Sequence, residues 1–236
     1  MSMGSFLGLS CFGRAANSRH AGASLLHFNV ALTASILAAC SATSATAGIV
    51  SVGGSVVLRD PPAMILLNQW ESNNEIRGWF EREVTLSSPL VVGHVNSGLV
   101  TADSQLISGS LPSGTTIRSY MVRVDPVGVG PTILTGSLVF DVPILGVYVG
   151  SGIGDTDSLL GRPGIGYNTN SARGMEFDGP GGSAESFEIS ADRLRIDFIM
   201  DTQDATDEIR ILTAIPSPST AILAGLGCIF AGRRRR

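Results

Sequence analysis

Short apolar runs separated by turn residues fill the chain between residues 48 and 214, and this pattern limits the fold more than any other feature. The segment RLRIDFIM at residues 193–200 alternates, so Leu194, Ile196 and Phe198 share one face of an extended strand and charged side chains occupy the other. Most of the chain's 29 glycines and 11 prolines lie in this region and interrupt such segments, and no long amphipathic helix lies between them. The sequence therefore predicts an all-β domain.

Nine strands are predicted, and their short spacing favours an antiparallel β-sandwich of jelly-roll-like architecture. In one of them, Tyr120, Val122 and Val124 are expected to share a face. Residues 65–81, ILLNQWESNNEIRGWFE, fit either a short helix or an irregular hairpin. The predicted strands are Ile49–Leu58, Arg82–Leu86, Leu90–Val95, Thr115–Asp125, Ile133–Phe140, Ile144–Val149, Ser186–Ile189, Arg193–Met200 and Glu208–Thr213.

Charge is unevenly distributed along the chain, which has a formal net charge of -4. All 20 acidic residues lie between Arg59 and Arg210, whereas six of the 16 basic residues, all of them arginine, lie outside that interval. The interval is therefore strongly acidic and repels the phosphate backbone of nucleic acids, because proteins bind that backbone through Lys and Arg. No nucleic-acid partner is expected.

Residues 48–214, the central region, contain no cysteine and a single histidine, which restricts the chemistry of this region. The three cysteines lie outside it, two before and one after, so no disulfide, thiolate metal site or catalytic cysteine is expected there. His94 is the single histidine of residues 48–214. A mechanism that needs histidine therefore depends on His94 alone.

Residues 1–47 have the features of an export signal. Two arginines precede a short apolar core at residues 29–39, and Ala45 and Ala47 provide the small residues that precede a signal-peptide cleavage site. Cleavage there makes Gly48 the first residue of the mature protein. The apolar core also predicts an N-terminal signal helix.

A second interpretation of this leader stays open. The segment Leu37–Cys40, LAAC, is similar to a lipoprotein lipobox, in which the cysteine after small residues is acylated. On that interpretation Cys40 is lipidated and becomes the first residue of the mature protein. We adopt the ordinary cut before Gly48, with lipidation of Cys40 as the alternative.

The tail, residues 215–236, contains an uncharged run of 14 residues at 219–232. As a helix this run extends ~21 Å, which is shorter than the ~30 Å hydrocarbon core of a bilayer. A short transmembrane helix that holds the protein temporarily is therefore predicted. The arginines that follow the run stop it on the cytoplasmic side by the positive-inside rule; they are Arg233, Arg234, Arg235 and Arg236.

The tail resembles the PEP-CTERM sorting signal of Gram-negative bacteria, in which a Pro-Glu-Pro motif precedes a short apolar segment and an arginine-rich end. The corresponding residues here are Pro216, Ser217 and Pro218, with serine in place of glutamate. The resemblance implies recognition by an exosortase, a membrane protease of the cysteine type, and delivery to the cell surface or its exopolysaccharide. The same tail domain is also labelled an ice-binding protein carboxy-terminal domain, which implies nothing about ice binding by the rest of the chain.

Few polar residues of the central region suggest catalysis. Glu81 and Glu83 share one face if their segment is extended. The distance between their carboxylates could then reach the lower end of the ~5–9.5 Å range found in glycosidases. His94 and Ser97 suggest a base and a nucleophile, yet no G-x-S-x-G elbow is present. We expect an exposed acidic pair and a surface or turn histidine, and we predict no catalytic residue.

Acidic turns and aromatic residues suggest two kinds of binding. Ca²⁺ prefers loops with several carboxylates, but neither acidic group has EF-hand spacing, so no cofactor is predicted and structural Ca²⁺ is the alternative. The two groups are Asp155 with Asp157, and Asp201 with Asp204, Asp207 and Glu208. The aromatic residues considered for stacking on sugar rings are Trp70, Trp79, Tyr120, Tyr148 and Tyr167.

Together these features predict a signal peptide at residues 1–47, a β-sandwich domain at 48–214 and a sorting signal at 215–236. The predicted function is that of an exported, non-enzymatic protein of the cell surface or extracellular matrix, anchored temporarily through its tail. The expected partners are an exosortase-type membrane protease, the membrane, and exopolysaccharide or cell-surface glycans. A carbohydrate-binding module and a secreted hydrolase are the alternatives.

Overall fold

The computed structural model describes residues 48–128, 132–150, 152–169, 173–177, 185–202 and 206–215. The predicted signal peptide, and the tail after Ile215, lie outside the described residues. None of the described helices is long and apolar enough to cross a membrane. The singled-out residues that lie outside the description are Cys40, Ala45, Ala47, Asp204, Pro216, Ser217, Pro218, Arg233, Arg234, Arg235 and Arg236.

The described residues fold mainly into β-strands, which confirms the predicted all-β class. Two short helices, α1 (Gly152–Asp155) and α2 (Asp157–Leu160), and a 3₁₀ turn at Asp103–Gln105 accompany them. The strands are β1 (Ile49–Gly54), β2 (Val56–Leu58), β3 (Met64–Ile65), β4 (Ile76–Thr85), β5 (Leu90–Val92), β6 (Gly98–Val100), β7 (Gly109–Leu111), β8 (Thr116–Val124), β9 (Thr132–Phe140), β10 (Ile144–Tyr148), β11 (Gly166–Tyr167), β12 (Ser186–Ile189), β13 (Arg195–Thr202) and β14 (Asp207–Ala214).

Two five-stranded sheets make up most of the described fold. The first sheet has the strand order β1-β9-β13-β12-β6, and the second has the order β10-β14-β8-β4-β2. Neighbouring strands in both sheets run antiparallel, except β2 and β4, which are parallel. Two smaller sheets, β11-β3 and β5-β7, have two strands each. Antiparallel pairing therefore dominates, as predicted.

Side chains from both large sheets form one hydrophobic cluster. Its members include the predicted apolar faces of two strands: Ile196 and Phe198 of β13, and Tyr120, Val122 and Val124 of β8. Every second side chain of a strand points to the same face, so the alternation in the sequence identifies the core side of both strands correctly. Removing such apolar surface from water is the main favourable contribution to folding.

The two sheets approach each other closely at Gly136 of β9. A Cβ added there would lie 2.5 Å from Val56 Cγ2 and 2.6 Å from Phe198 Cε2, far inside van der Waals contact. We expect Gly136→Ala to lower the free energy of unfolding by about 1–3 kcal/mol, the usual cost of overpacking a core. In urea unfolding, Gly152→Ala is the matched control, because its nearest neighbour would lie 3.6 Å from the added Cβ. Equal losses in the two variants would contradict the close approach.

One predicted strand, Ile49–Leu58, is two strands in the structure, so that prediction is wrong. β1 pairs with β9 in the first sheet, whereas β2 pairs with β4 in the second. The chain changes sheets at Gly54, whose φ of 65° is a conformation that glycine adopts readily. The apolar residues on either side of Gly53 and Gly54 do not reveal that the two halves of the segment join different sheets.

Residues 65–81 form neither the short helix nor the hairpin that were predicted, because β3 ends at the first residue of this segment and β4 begins inside it, and the two strands belong to different sheets. Side chains fix the polar stretch between the two strands. The Ser72 hydroxyl accepts hydrogen bonds from the N–H groups of Asn74 at 3.2 Å and Glu75 at 3.1 Å. β4 then continues for ten residues and buries Trp79.

Candidate functional site

The second sheet is covered, on the side away from the first sheet, by a layer that the sequence did not predict. β3, β11, α1 and α2 contribute side chains to this layer. They form a second hydrophobic cluster with Trp79, Met121 and Leu212 of the second sheet. Both faces of β8 and β14 are consequently buried, including charged side chains that an outer strand face normally turns to water.

Arg210 of β14 is fully buried and directs its guanidinium into this layer. It forms a two-point ion pair with Glu81 of β4, in which Nε donates to Oε2 at 2.7 Å and Nη2 donates to Oε1 at 2.9 Å. Its other hydrogen bonds go to Asp157 Oδ1 (2.7 Å), Thr156 Oγ1 (2.6 Å) and the carbonyl of Ile153 (2.8 Å). The planar fork of a guanidinium matches a carboxylate in this geometry. Arg210 thereby connects β14 and β4 to the two short helices.

Arg173 extends the network on the same side of the sheet. Its Nε donates to Glu208 Oε2 at 2.7 Å, and its Nη1 donates to Asp157 Oδ2 at 2.5 Å and to the carbonyl of Asn168 at 2.8 Å. Asp157 therefore binds two arginines, because its Oδ1 also accepts from Arg210.

Arg123 of β8 lies at the other end of the network. Its Nη1 donates to Glu208 Oε1 at 2.7 Å and to the carbonyl of Ile65 at 3.0 Å. Its Nη2 donates to Asp125 Oδ2 at 2.8 Å and to the carbonyl of Leu66 at 2.9 Å. Arg123 thus holds β3 against the second sheet, and Glu208 bridges two arginines.

Seven charged residues form one continuous series in which negative and positive side chains alternate. We refer to them as the ion-pair chain: Asp125, Arg123, Glu208, Arg173, Asp157, Arg210 and Glu81. Asp157 reaches solvent with 20 % of its side chain exposed, whereas the other members are buried. Burial lowers the pKa of Arg210, but the charges of Glu81 and Asp157 outweigh burial and raise that pKa overall, so Arg210 stays charged.

A β-bulge in β4 determines where its glutamates point. The pairing with β8 passes from Phe80 to Arg82 and leaves Glu81 without an opposite residue. An extra residue of this kind shifts the alternation of side chains by one position. Glu83 consequently lies on the other face, where it is exposed and 3.3 Å from Arg118. The prediction that Glu81 and Glu83 share a face is therefore wrong.

Two hydroxyl groups satisfy the rest of the Glu81 carboxylate. Tyr167 donates to Oε1 at 2.7 Å, and Ser119 donates to Oε2 at 2.6 Å. The guanidinium carbons of Arg173 and Arg210 lie 5.6 Å and 5.7 Å from the centre of the Tyr167 ring, within the range of cation–π attraction. Burial and then the charge of Glu81 raise the pKa of the Tyr167 hydroxyl, so it remains a proton donor.

His94 lies between β5 and β6 and is buried, so of the two expected positions, surface or turn, the surface position is wrong. Its Nδ1 accepts a hydrogen bond from the N–H of Ile107 at 3.1 Å, which leaves Nε2 to donate to the carbonyl of Asn96 at 3.0 Å. Its ring also contacts Phe187 edge-on, with 5.3 Å between the ring centres. Both ring nitrogens are used within the fold, so His94 has no nitrogen left to act as a base for Ser97.

We expect His94 to make the fold less stable as the pH falls below about 6.5, the ordinary pKa of histidine. Burial lowers the pKa of His94 in the folded protein, so the unfolded chain binds the proton at a higher pH than the folded chain. Protonation also removes the acceptor used by the N–H of Ile107. His94→Gln does not titrate and should lose less unfolding free energy between about pH 7 and pH 5. An identical pH dependence in both proteins would contradict this assignment.

The aromatic residues considered for sugar stacking are mostly inaccessible. Trp79, Tyr120 and Tyr148 are buried. Trp70 is half-buried, with its ring centre 5.5 Å from that of Trp79 and 4.8 Å from the guanidinium carbon of Arg77. One of the two tryptophans is therefore a core residue, and the other packs against it.

Two of the acidic residues considered for Ca²⁺ are used in the fold, and a third is exposed. Asp157 and Glu208 belong to the ion-pair chain, and Asp155 is exposed at the end of α1. Among the described residues, no three or more His, Cys, Asp or Glu side chains are arranged to hold a metal ion.

Asp207, the first residue of β14, is buried next to Glu185. Glu185 accepts hydrogen bonds from the backbone N–H groups of Glu176 and Asp201. Burial, followed by the hydrogen bond and the charge of Glu185, raises the pKa of Asp207 well above its ordinary value. The raised pKa favours the protonated form of Asp207 beside Glu185.

The ion-pair chain is the feature that sequence reasoning missed. Its partners lie far apart in the sequence, and Glu81 and Arg210 are separated by 129 positions. Each carboxylate of the ion-pair chain accepts a hydrogen bond from an arginine. The ion-pair chain therefore holds the outer layer against the second sheet. Comparisons with protein-family models, with curated proteins and with solved structures found no match to this chain.

Proposed function

We propose that this chain is an exported, non-enzymatic protein of the cell surface or extracellular matrix, carried there by its leader and by a PEP-CTERM-like tail. The positions of the first and last strands support the proposal. β1 starts at Ile49, one residue after the predicted cleavage site, and β14 ends at Ala214, immediately before the tail. An export signal and a sorting signal attached at these two points leave the strands of the domain intact.

The domain itself is proposed to be an antiparallel β-sandwich of jelly-roll-like kind. The shared core supports this architecture, because Leu138 and Phe198 of the first sheet and Val122 and Ile211 of the second belong to one hydrophobic cluster. Two sheets that pack face to face bury their inner faces in this way. The loops at the two ends of such a sandwich then provide the surfaces of a structural or adhesive module.

The absence of cysteine from the central region bears on how an exported domain stays folded. Small secreted domains often depend on disulfides, and residues 48–214 contain no cysteine. The ion-pair chain instead connects distant parts of the sequence: Arg123 and Glu208 are 85 positions apart, and Arg210 and Glu81 are 129 apart. Breaking a buried ion pair is strongly destabilising, so these connections support a domain that must persist outside the cell.

The non-enzymatic part of the proposal is supported by the way in which the reactive groups are used. Glu81 accepts four hydrogen bonds, which come from Arg210, Tyr167 and Ser119. His94 uses both ring nitrogens within the fold. A general acid or base needs a substrate proton within hydrogen-bond reach, and side chains already engaged in this way serve the structure instead.

The fate of the tail in a Gram-negative host that has an exosortase tests the proposal. The full chain is compared with a chain that ends at Ile215 and with a chain in which serine replaces the four arginines that follow the uncharged run. We expect only the full chain to pass through the membrane fraction and then reach the cell surface. In a host without the exosortase, the full chain should stay in the membrane. Equal distribution of the three proteins among membrane, surface and medium would contradict the proposal.

A further inference from the structure

Both ends of the folded domain bind the same turn. This turn, residues 141–143, connects β9 to β10. The N–H of Asp141 donates to the carbonyl of Gly48 at 2.9 Å, and the N–H of Ala214 donates to the carbonyl of Pro143 at 3.0 Å. The leader therefore joins the domain, and the tail leaves it, on the two sides of one turn.

The core fixes these two attachment points. Gly48 has a φ of 137°, and a Cβ added to it would lie 1.8 Å from the Tyr120 hydroxyl oxygen, so its backbone lies directly against that side chain. Ala214 is the last residue of the ladder between β14 and β8, where it pairs with Ile117. Neither point can move to another part of the domain without breaking these contacts.

Two further loops lie at the same end of the domain. β4 ends at Thr85, which pairs with Thr116 of β8, and the next residue of β8 pairs with Ala214. The loops at residues 87–89 and 112–114 are exposed and contain only Ser, Pro and Gly. This end of the domain therefore includes the turn at residues 141–143, two small uncharged loops and the turn at residues 190–194, where the carbonyl of Arg193 accepts from the N–H of Ile144 at 2.8 Å.

The tail allows little distance between the domain and the membrane. Residues 215–218 separate Ala214 from the uncharged run that begins at Ser219. Four extended residues span at most about 14 Å, whereas β8, with nine residues, is about 30 Å long. A domain held so closely keeps the end that carries the tail next to the lipid and cannot turn its opposite end toward it.

We infer that the domain stands end-on at the membrane, with the turn at residues 141–143 and the two loops facing the lipid headgroups. This inference rests on the proposed insertion of the tail. The opposite end, where the Asn73 side chain bonds to the backbone of Val127, then faces outward.

The short tether, and not electrostatic attraction, sets this orientation. The two loops carry no charge, and the two exposed aspartates at this end, Asp141 and Asp192, outnumber the half-buried Arg193. Arg118 at the start of β8 is paired with Glu83 and so is partly neutralised. We therefore expect the orientation to persist at high salt, where attraction between exposed charges and headgroups is screened.

Site-specific fluorescence quenching tests the orientation. The chain with its tail, purified from the membrane of a host without the exosortase and with its native cysteines replaced by serine, receives one new cysteine through Ser113→Cys or Asn74→Cys. Each variant is labelled with a fluorophore and bound to phosphatidylcholine vesicles that carry a quencher on the headgroup. We expect the label at residue 113 to be quenched several-fold more than the label at residue 74, at low and at high salt.

A longer tether provides the matched control. A long flexible Gly/Ser segment inserted after Ile215 should remove the difference between the two labels, because it frees the domain to turn. Equal quenching in the original chain, or stronger quenching at residue 74, with the protein still bound to the vesicles, would overturn the end-on orientation and leave the proposed function intact. Failure of the protein to sediment with the vesicles would overturn the insertion of the tail, and the orientation with it.

Discussion

Arg210→Met is expected to lower the free energy of unfolding by about 3–5 kcal/mol, the usual cost of leaving a buried charge without its partner. The substitution leaves Glu81 buried without a cation and removes one of the two arginines that bind Asp157. Because whole domains are stable by only about 5–15 kcal/mol, the variant should be unfolded or close to unfolding. Urea unfolding followed by tryptophan fluorescence measures the loss, since Trp79 lies in the cluster that the ion-pair chain crosses.

Two comparisons make this result specific to the ion-pair chain. Arg195→Met removes an exposed ion pair with Asp197 and should leave the unfolding midpoint unchanged, because such pairs contribute little. Combining Arg210→Met with Glu81→Gln should recover part of the loss, because the second substitution removes the charge that the first one left unpaired. Similar losses in Arg195→Met and Arg210→Met would show that burial of the network is not what stabilises the fold.

Asp207→Asn is expected to become more stable than the unchanged protein as the pH rises. Burial and Glu185 raise the pKa of Asp207 in the folded protein. The stabilising proton is therefore fully present below about pH 4, the ordinary pKa of Asp, and is lost as the pH rises through the raised folded-state pKa. Asparagine is neutral at every pH, and its amide can donate to Glu185 as the protonated carboxyl does.

Unfolding midpoints measured from about pH 4 to about pH 9 test this second prediction. Asp141→Asn is the control, because Asp141 is exposed in the turn after β9, and this variant should keep the pH dependence of the unchanged protein. If the unfolding midpoints of Asp207→Asn and the unchanged protein changed with pH in the same way, Asp207 would be ionised in the folded protein, which would contradict its raised pKa.

The core between the two large sheets was predictable because its signal is local. Ile196 and Phe198 alternate with charged residues along β13, and a period of two is enough to assign their face. β8 follows the same rule on its inner side, where Val122 and Val124 are buried. Such a pattern depends only on neighbouring residues and on the geometry of an extended strand.

The ion-pair chain was not predictable, because its burial depends on segments far away in the sequence. Glu208 and Arg210 alternate with apolar residues in β14, a pattern that usually places charged side chains in water. Residues 152–169 and Arg173 lie over the face of β14 that carries these charges and bury it. One signal was present in the sequence: these charges lie among unusually apolar neighbours in a strand that ends the domain.

The orientation of Glu81 failed to follow from the sequence for a different reason. A bulge shifts the alternation by one residue, and no residue type in β4 marks its position. Glu81 and Glu83 therefore separate, one into the ion-pair chain and the other to the surface. A rule with a period of two is reliable only while the register between the two strands continues unbroken.

Export and sorting through the tail can be tested by a single intact-mass measurement on protein recovered from the cell surface. The expected protein begins at Gly48, or at a lipidated Cys40, and lacks the four arginines that follow Gly232. A surface protein that retains both Met1 and Arg236 would contradict processing at either end, and with it the proposed route to the cell surface.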